Sequence, residues 1–150
     1  MINNQALHSA HVEADGPGLQ MPLRGVPLTV LIVEDSEDIR MMMRILLEME
    51  GYRVIEAADG LRAIELAIHE RPALIMMDLT LPVLDGIAAT GRIREYLPEV
   101  PVVALSGHAT DDYRSAALAA GCTEYLVKPL DFKLLDNILG RLSHRAAELQ

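Results

Sequence analysis

From Leu28 onward the chain alternates five short apolar runs with segments whose apolar residues recur at helical spacing, and few folds accept that order. The runs cover 28–33, 52–57, 73–78, 100–105 and 123–127. Runs this continuously apolar must be buried on both faces, which is the condition of strands in a parallel sheet. Parallel neighbours need crossover connections, and the amphipathic segments supply them as helices on both sides. The expected class is therefore α/β, a doubly wound five-stranded parallel sheet with five helices. Ser36, Asp59 and Asp131 are predicted helix caps, while Gly51 and Gly121 are predicted helix ends. In the first helix Ile39, Met42, Met43, Leu46 and Met49 form the predicted inward stripe. The cluster of methionines there fits core filling better than a soft metal site. In the second helix Leu61, Ile64, Ala67 and Ile68 are expected inside, and in the last Leu134, Leu135, Ile138, Leu139 and Leu142.

A chain of 150 residues suits one domain with a full core. The net charge of −9, without any basic run, argues against non-specific attraction to nucleic acid or to anionic membranes. Cys122 is the single cysteine, so an internal disulfide and a cysteine zinc site are excluded, and a reduced, cytoplasmic setting is expected. No apolar stretch approaches the ~20 residues of a membrane helix. Residues 1–27 hold Gly16, Pro17, Gly18, Pro22, Gly25 and Pro27, a density of breakers that predicts a flexible leader. His8 and His11 stand there at i, i+3 without thiol or carboxylate company suited to a metal.

The polar residues at the carboxyl ends of the runs carry the functional signal, because ligands of open α/β sheets bind at that edge. Glu34 and Asp35 follow the first strand, Asp78 ends the third with Thr80 beyond it, Ser106 follows the fourth, and Lys128-Pro129 the fifth. If these strands are neighbours, three carboxylates meet, and their repulsion is relieved by a divalent cation. An all-oxygen donor set without His or Cys points to a hard ion, Mg²⁺ first and Mn²⁺ as an alternative. Lys128 can then offer charge and Ser106 a hydroxyl to a phosphoryl group, with Asp78 left as nucleophile.

The motifs Val33-Glu34-Asp35-Ser36, Met77-Asp78-Leu79-Thr80-Leu81-Pro82 with Asp85-Gly86, Leu105-Ser106-Gly107-His108-Ala109 and Tyr125-Leu126-Val127-Lys128-Pro129 together resemble the receiver domain of two-component response regulators. The resemblance covers roughly 28–142, leaving a leader over 1–27 and a tail over 143–150. It implies a flavodoxin-like strand order 2-1-3-4-5. It further implies that Asp78 accepts a phosphoryl group from a sensor histidine kinase or a histidine phosphotransfer protein. Asp35, Asp78 and the Thr80 backbone carbonyl would hold the metal, with Glu34 assisting through water. Ser106 would be the switch hydroxyl and Tyr125 the side chain that turns from outward to inward. Lys128-Pro129 would carry a cis peptide, and 110–142 would form the docking face for a downstream protein target. Thr80 and His108 occupy positions that tune phosphate lifetime in this family, although an exposed loop histidine serves no necessary role. Ser106 and Gly107 stand where Thr and Ala are commoner.

The tail is too short for a DNA-binding helix pair, so a stand-alone receiver is expected, monomeric or dimerising on phosphorylation, with no direct nucleic-acid partner. It would be a phosphoacceptor with self-phosphorylation and autodephosphorylation chemistry only, rather than a turnover enzyme. Three rivals share features with it. A phosphate-independent scaffold needs none of the site residues. An Asp-nucleophile phosphatase of the haloacid dehalogenase type needs its acid on the first strand with a second acid two residues later; here Thr80 follows Asp78. A flavin or nucleotide binder needs phosphate donors after the first strand, where Glu34 and Asp35 would repel it.

Overall fold

The computed structural model describes residues 26–149. The expected leader, apart from Val26 and Pro27, and the His8/His11 pair lie outside them. The strands are β1 (Thr29–Val33), β2 (Arg53–Ala57), β3 (Leu74–Asp78), β4 (Val102–Ser106) and β5 (Glu124–Val127). Between and after them lie α1 (Glu37–Met49), α2 (Gly60–Glu70), α3 (Gly86–Tyr96), α4 (Asp111–Ala120) and α5 (Phe132–Leu149). The sheet runs β2-β1-β3-β4-β5, every pair parallel, which is the flavodoxin-like order. No helix among the described residues is long and apolar enough to cross a membrane.

Successive strand residues point to opposite faces, and the core divides accordingly. Val30, Ile32, Met76 and Leu105 pack with Met43 and Leu47 of α1 and with Leu135 and Leu139 of α5. Leu31, Val33, Ile75 and Ala104 pack with Ala63 of α2, Ala89 of α3 and Ala117 of α4. The helices begin where the caps put them. Ser36 Oγ accepts from the Ile39 amide, Asp59 Oδ1 from Arg62, Asp85 Oδ1 from Ala88 and Asp131 Oδ1 from Leu134. Gly121 closes α4 in the left-handed region at φ 116°, a conformation that favours glycine.

Predicted helix faces are corrected in α1, α2 and α5. In α1 only Met43 and Leu47 are buried, while Ile39, Met42, Leu46 and Met49 are exposed. The helix carries more apolar residues than one face holds, so spacing alone fits two rotations. The observed rotation brings two arginines onto one acid of β2: Arg40 Nε meets Glu56 Oε1 at 2.8 Å, and Arg44 meets the other oxygen of Glu56. In α2 Leu61 is exposed and Ile64 and Ile68 are only half-buried, while Ala63 and the expected Ala67 are buried. Leu134 of α5 is likewise exposed, whereas Leu135, Ile138, Leu139 and Leu142 are buried as expected.

At the end of the sheet remote from the acids, Arg94 of α3 fastens neighbouring elements. Its Nε and Nη2 donate to the Gly121 carbonyl at 2.9 and 2.7 Å, and Nη1 donates to the Leu97 carbonyl at 3.0 Å. In the loop after β3, the Leu84 amide donates to the Pro82 carbonyl at 2.7 Å around Val83, whose φ is +69°. This is a γ-turn centred on a β-branched residue in a region such residues rarely adopt.

Candidate functional site

Strand register alone brings the polar residues to one edge. Val33 pairs with Met77, Asp78 with Leu105, and Ser106 with Val127, so Glu34, Asp35, Asp78 and Lys128 emerge side by side. Carboxylate oxygens of Glu34, Asp35 and Asp78 all lie within 4.8 Å of one another. Glu34 and Asp78 are buried and Asp35 is exposed, giving the cluster a closed floor and an open mouth. Lys128 Nζ stands 3.1 Å from Asp78 Oδ2 and 3.4 Å from Glu34 Oε1. The other oxygen of each acid is held by the backbone. The Thr80 amide donates to Asp78 Oδ1 at 2.9 Å and the Ser36 amide to Glu34 Oε2 at 3.0 Å. Both side chains therefore have fixed orientations.

Electrostatics show that one ammonium does not satisfy three acids. Burial pushes the Glu34 carboxyl above its ordinary value; the Ser36 amide opposes this, the Asp78 charge adds to it, and Lys128 offsets it only in part. For Lys128, burial alone would lower the pKa, but the hydrogen bond and charge of Asp78, then of Glu34, outweigh it and raise the value. The donor set is oxygen throughout, clustered and rich in negative charge, which suits a hard divalent ion such as Mg²⁺.

The structure places the remaining expected residues as follows. Ser106 is fully buried, and its Oγ accepts from the His108 amide at 3.0 Å rather than meeting Asp78. Tyr125 lies inward, and its hydroxyl donates to the His108 carbonyl at 2.5 Å. The Lys128–Pro129 peptide is cis. His108 is exposed and its ring lies 4.7 Å from that of Tyr113, beside a cleft of about 460 Å³ that Thr80 and Asp85 also line. Arg40 was not anticipated. Its Nη1 donates to the Glu34 carbonyl at 2.8 Å while Nε holds Glu56, so it braces the acidic turn from α1. The only signal in the sequence is an arginine interrupting an apolar stretch.

Comparison with known proteins agrees with this architecture. Residues 30–139 match the family model of the response regulator receiver domain. A 14.6 kDa protein of Leptolyngbya boryana is 38% identical over 69% of this chain and 81% of its own length. The transcriptional regulatory protein PrrA of Mycobacterium tuberculosis is 39% identical over 67% of this chain, which spans only 43% of PrrA. Among solved structures, the receiver domain of sensor histidine kinase PA1611 from Pseudomonas aeruginosa, with magnesium coordinated in its active-site cleft, superposes at a TM-score of 0.73. It is 38% identical, covering 79% of this chain and 99% of that one. Chemotaxis protein CheY4 of Vibrio cholerae gives 0.73 at 31% identity over 78% and 99%. With its strand order, its acidic edge and these likenesses taken together, the chain belongs to the response regulator receiver family.

Proposed function

We propose that Asp78 is the phosphoacceptor of a two-component signalling switch and that Lys128 is its charge partner. The contact of Lys128 Nζ with Asp78 Oδ2 at 3.1 Å, inside a cluster of three carboxylates, is the observation that carries the reading. A carboxylate oxygen of Asp78 attacks the phosphorus of a phosphohistidine on a sensor kinase or phosphotransfer protein. The O–P bond of an acyl phosphate forms, the N–P bond breaks, and the freed imidazole takes up a proton from solvent. Lys128 offers its ammonium to one phosphoryl oxygen, and the Ser106 hydroxyl reaches another by leaving the His108 amide. Asp35, Asp78 and the Thr80 carbonyl would hold Mg²⁺, or Mn²⁺ in its place, with Glu34 assisting. Bound there, such an ion would neutralise charge on the transferring group.

The chemistry is stoichiometric phosphorylation and hydrolysis of the chain itself, with no turnover of a separate substrate. Ser106 and Tyr125 grip the same residue, His108, through its amide and its carbonyl. Moving the Ser106 hydroxyl therefore alters the loop on which Tyr125 rests, and residues 110–142 present the change to a downstream protein. A reduced, cytoplasmic setting suits such a switch.

The test is labelling by a small phosphodonor such as acetyl phosphate. Asp78→Asn abolishes the label and excess chelator suppresses it by orders of magnitude. Undiminished labelling of Asp78→Asn, or labelling indifferent to chelator, rejects the assignment. Steady release of phosphate from a simple phosphoester would favour a phosphatase instead.

A further inference from the structure

The rotation of α1 leaves an apolar surface outside the core. Met42, Ile45, Leu46 and Met49 are all exposed, Met49 at 70%. Between this surface and α5 opens a cavity of about 310 Å³, walled by Leu46, Met49 and Phe132 and reaching down to Met76 of the sheet. Its rim carries Glu50, Asp136 and Lys133, a net negative set. Glu50 Oε1 is buried without a hydrogen-bond partner among the described residues. Burial, then the neighbouring Asp136 carboxyl, holds the Glu50 carboxyl above its ordinary value. The groove is thus apolar along its length and short of a cation at one end.

The chain itself arrives beside that end. Leu28 is buried in the same cluster as Met43, Leu47 and Met76. Its carbonyl accepts from the Arg53 amide at 2.9 Å, and Glu50 precedes Arg53 by three residues, a span of about 10 Å at most. Arg24 precedes Leu28 by four residues, about 14 Å of extended chain, so its guanidinium can reach Glu50. Arg24 is the sole Lys or Arg in residues 1–27. Upstream of it Leu23, Met21 and Leu19 alternate with Pro22 and Gln20, which on an extended segment puts three apolar side chains on one side.

We propose that residues 19–24 of this same chain are the occupant of the α1–α5 groove, with Leu19, Met21 and Leu23 against its apolar wall and Arg24 on the Glu50–Asp136 pair. Burial of these side chains removes exposed methionine and leucine surface from water, and the guanidinium gives the unpartnered Glu50 oxygen a donor. This stands apart from the phosphoacceptor reading, since it involves no group of the acidic site.

The experiment uses the full chain carrying Met21→Cys with Met49→Cys, and as control Met21→Cys with Leu61→Cys on the opposite face. Both helix positions are exposed, so neither substitution disturbs the core, and buried Cys122 is left in place. Under mild oxidation the groove pair is expected to form an intramolecular disulfide about tenfold faster than the control, scored by peptide mass. Arg24→Glu should slow the groove pair, and adding Glu50→Arg should restore it. Equal rates for the two pairs, a predominantly intermolecular disulfide, or a rate indifferent to Arg24→Glu overturns the proposal. The intermolecular outcome would assign the groove to a second copy instead.

Discussion

The two faces of the sheet are covered by opposite means. On the α2–α3–α4 side several of the buried helix residues are small, Ala63, Ala67, Ala89 and Ala117 beside the larger Ile93, and backbone approaches backbone closely at two glycines. A Cβ on Gly86 would lie 2.3 Å from the Asp78 carbonyl oxygen, and one on Gly60 would lie 2.1 Å from that of Leu84. On the α1–α5 side the fillers are large, Met43, Leu47, Leu135 and Leu139, and they leave a cavity beside them. The close face holds the end of β3 and the loop that follows Asp78 against α2 and α3, backbone to backbone at Gly60 and Gly86. The loose face tolerates rotation of α1 and leaves apolar surface over. Accuracy is concentrated where the acids are.

That contrast can be broken by four substitutions. Gly86→Ala should have the largest effect, a loss of about 3 kcal/mol read from the urea midpoint, because the new carbon meets backbone that cannot turn aside. A loss under about 1 kcal/mol would show that the close face yields. Leu139→Ala, buried on the loose face and lining its cavity, should cost about 2 kcal/mol, the low end for such a truncation, because helix and cavity can partly collapse. Val83→Gly should raise stability by about 1 kcal/mol by relieving the γ-turn at φ +69°, less the entropy of the added glycine. An unchanged midpoint would show that the turn is unstrained.

The smallest expected change is Glu34→Gln, and it depends on pH. The folded-state pKa of Glu34 lies above its ordinary value of 4.5, so the folded chain binds the proton more tightly than the unfolded one. Stability therefore falls as pH rises through that interval, and the cost of holding the carboxylate is fully present above it. In chelator at pH 7, Glu34→Gln should unfold at higher urea than the parent, and the advantage should vanish near pH 4. A lower midpoint at pH 7 would mean that Lys128 and the Ser36 amide overcompensate for burial.

The strands and the polar residues at their ends were legible in the sequence because each rests on a local signal, whereas the strand order came only with the resemblance to the receiver family. Apolar runs end abruptly in Glu34, Asp78, Ser106 and Lys128, and in a parallel sheet the ends of runs are the edge of the molecule. The rotation of α1 was not legible. Ile39, Met42, Leu46 and Met49 satisfy a helical period as well as Met43 and Leu47 do, and the observed rotation carries Arg40 and Arg44 onto Glu56 of the next strand, a pairing that spacing does not reveal. Arg40 beneath Glu34 and Arg94 on Gly121 were invisible for the same reason. An arginine that donates to a distant carbonyl leaves no periodic trace, since the carbonyl belongs to every residue alike.

Arg94 has a mechanical consequence. By fastening the last turn of α3 to Gly121, it pins α4 at its tail while the other end, at Thr110, sits next to the loop that Ser106 and Tyr125 share. A rod fixed at one tip can only swing. If a displacement of that loop moved α4, the hinge would lie at Gly121 and the arc would be widest at Thr110.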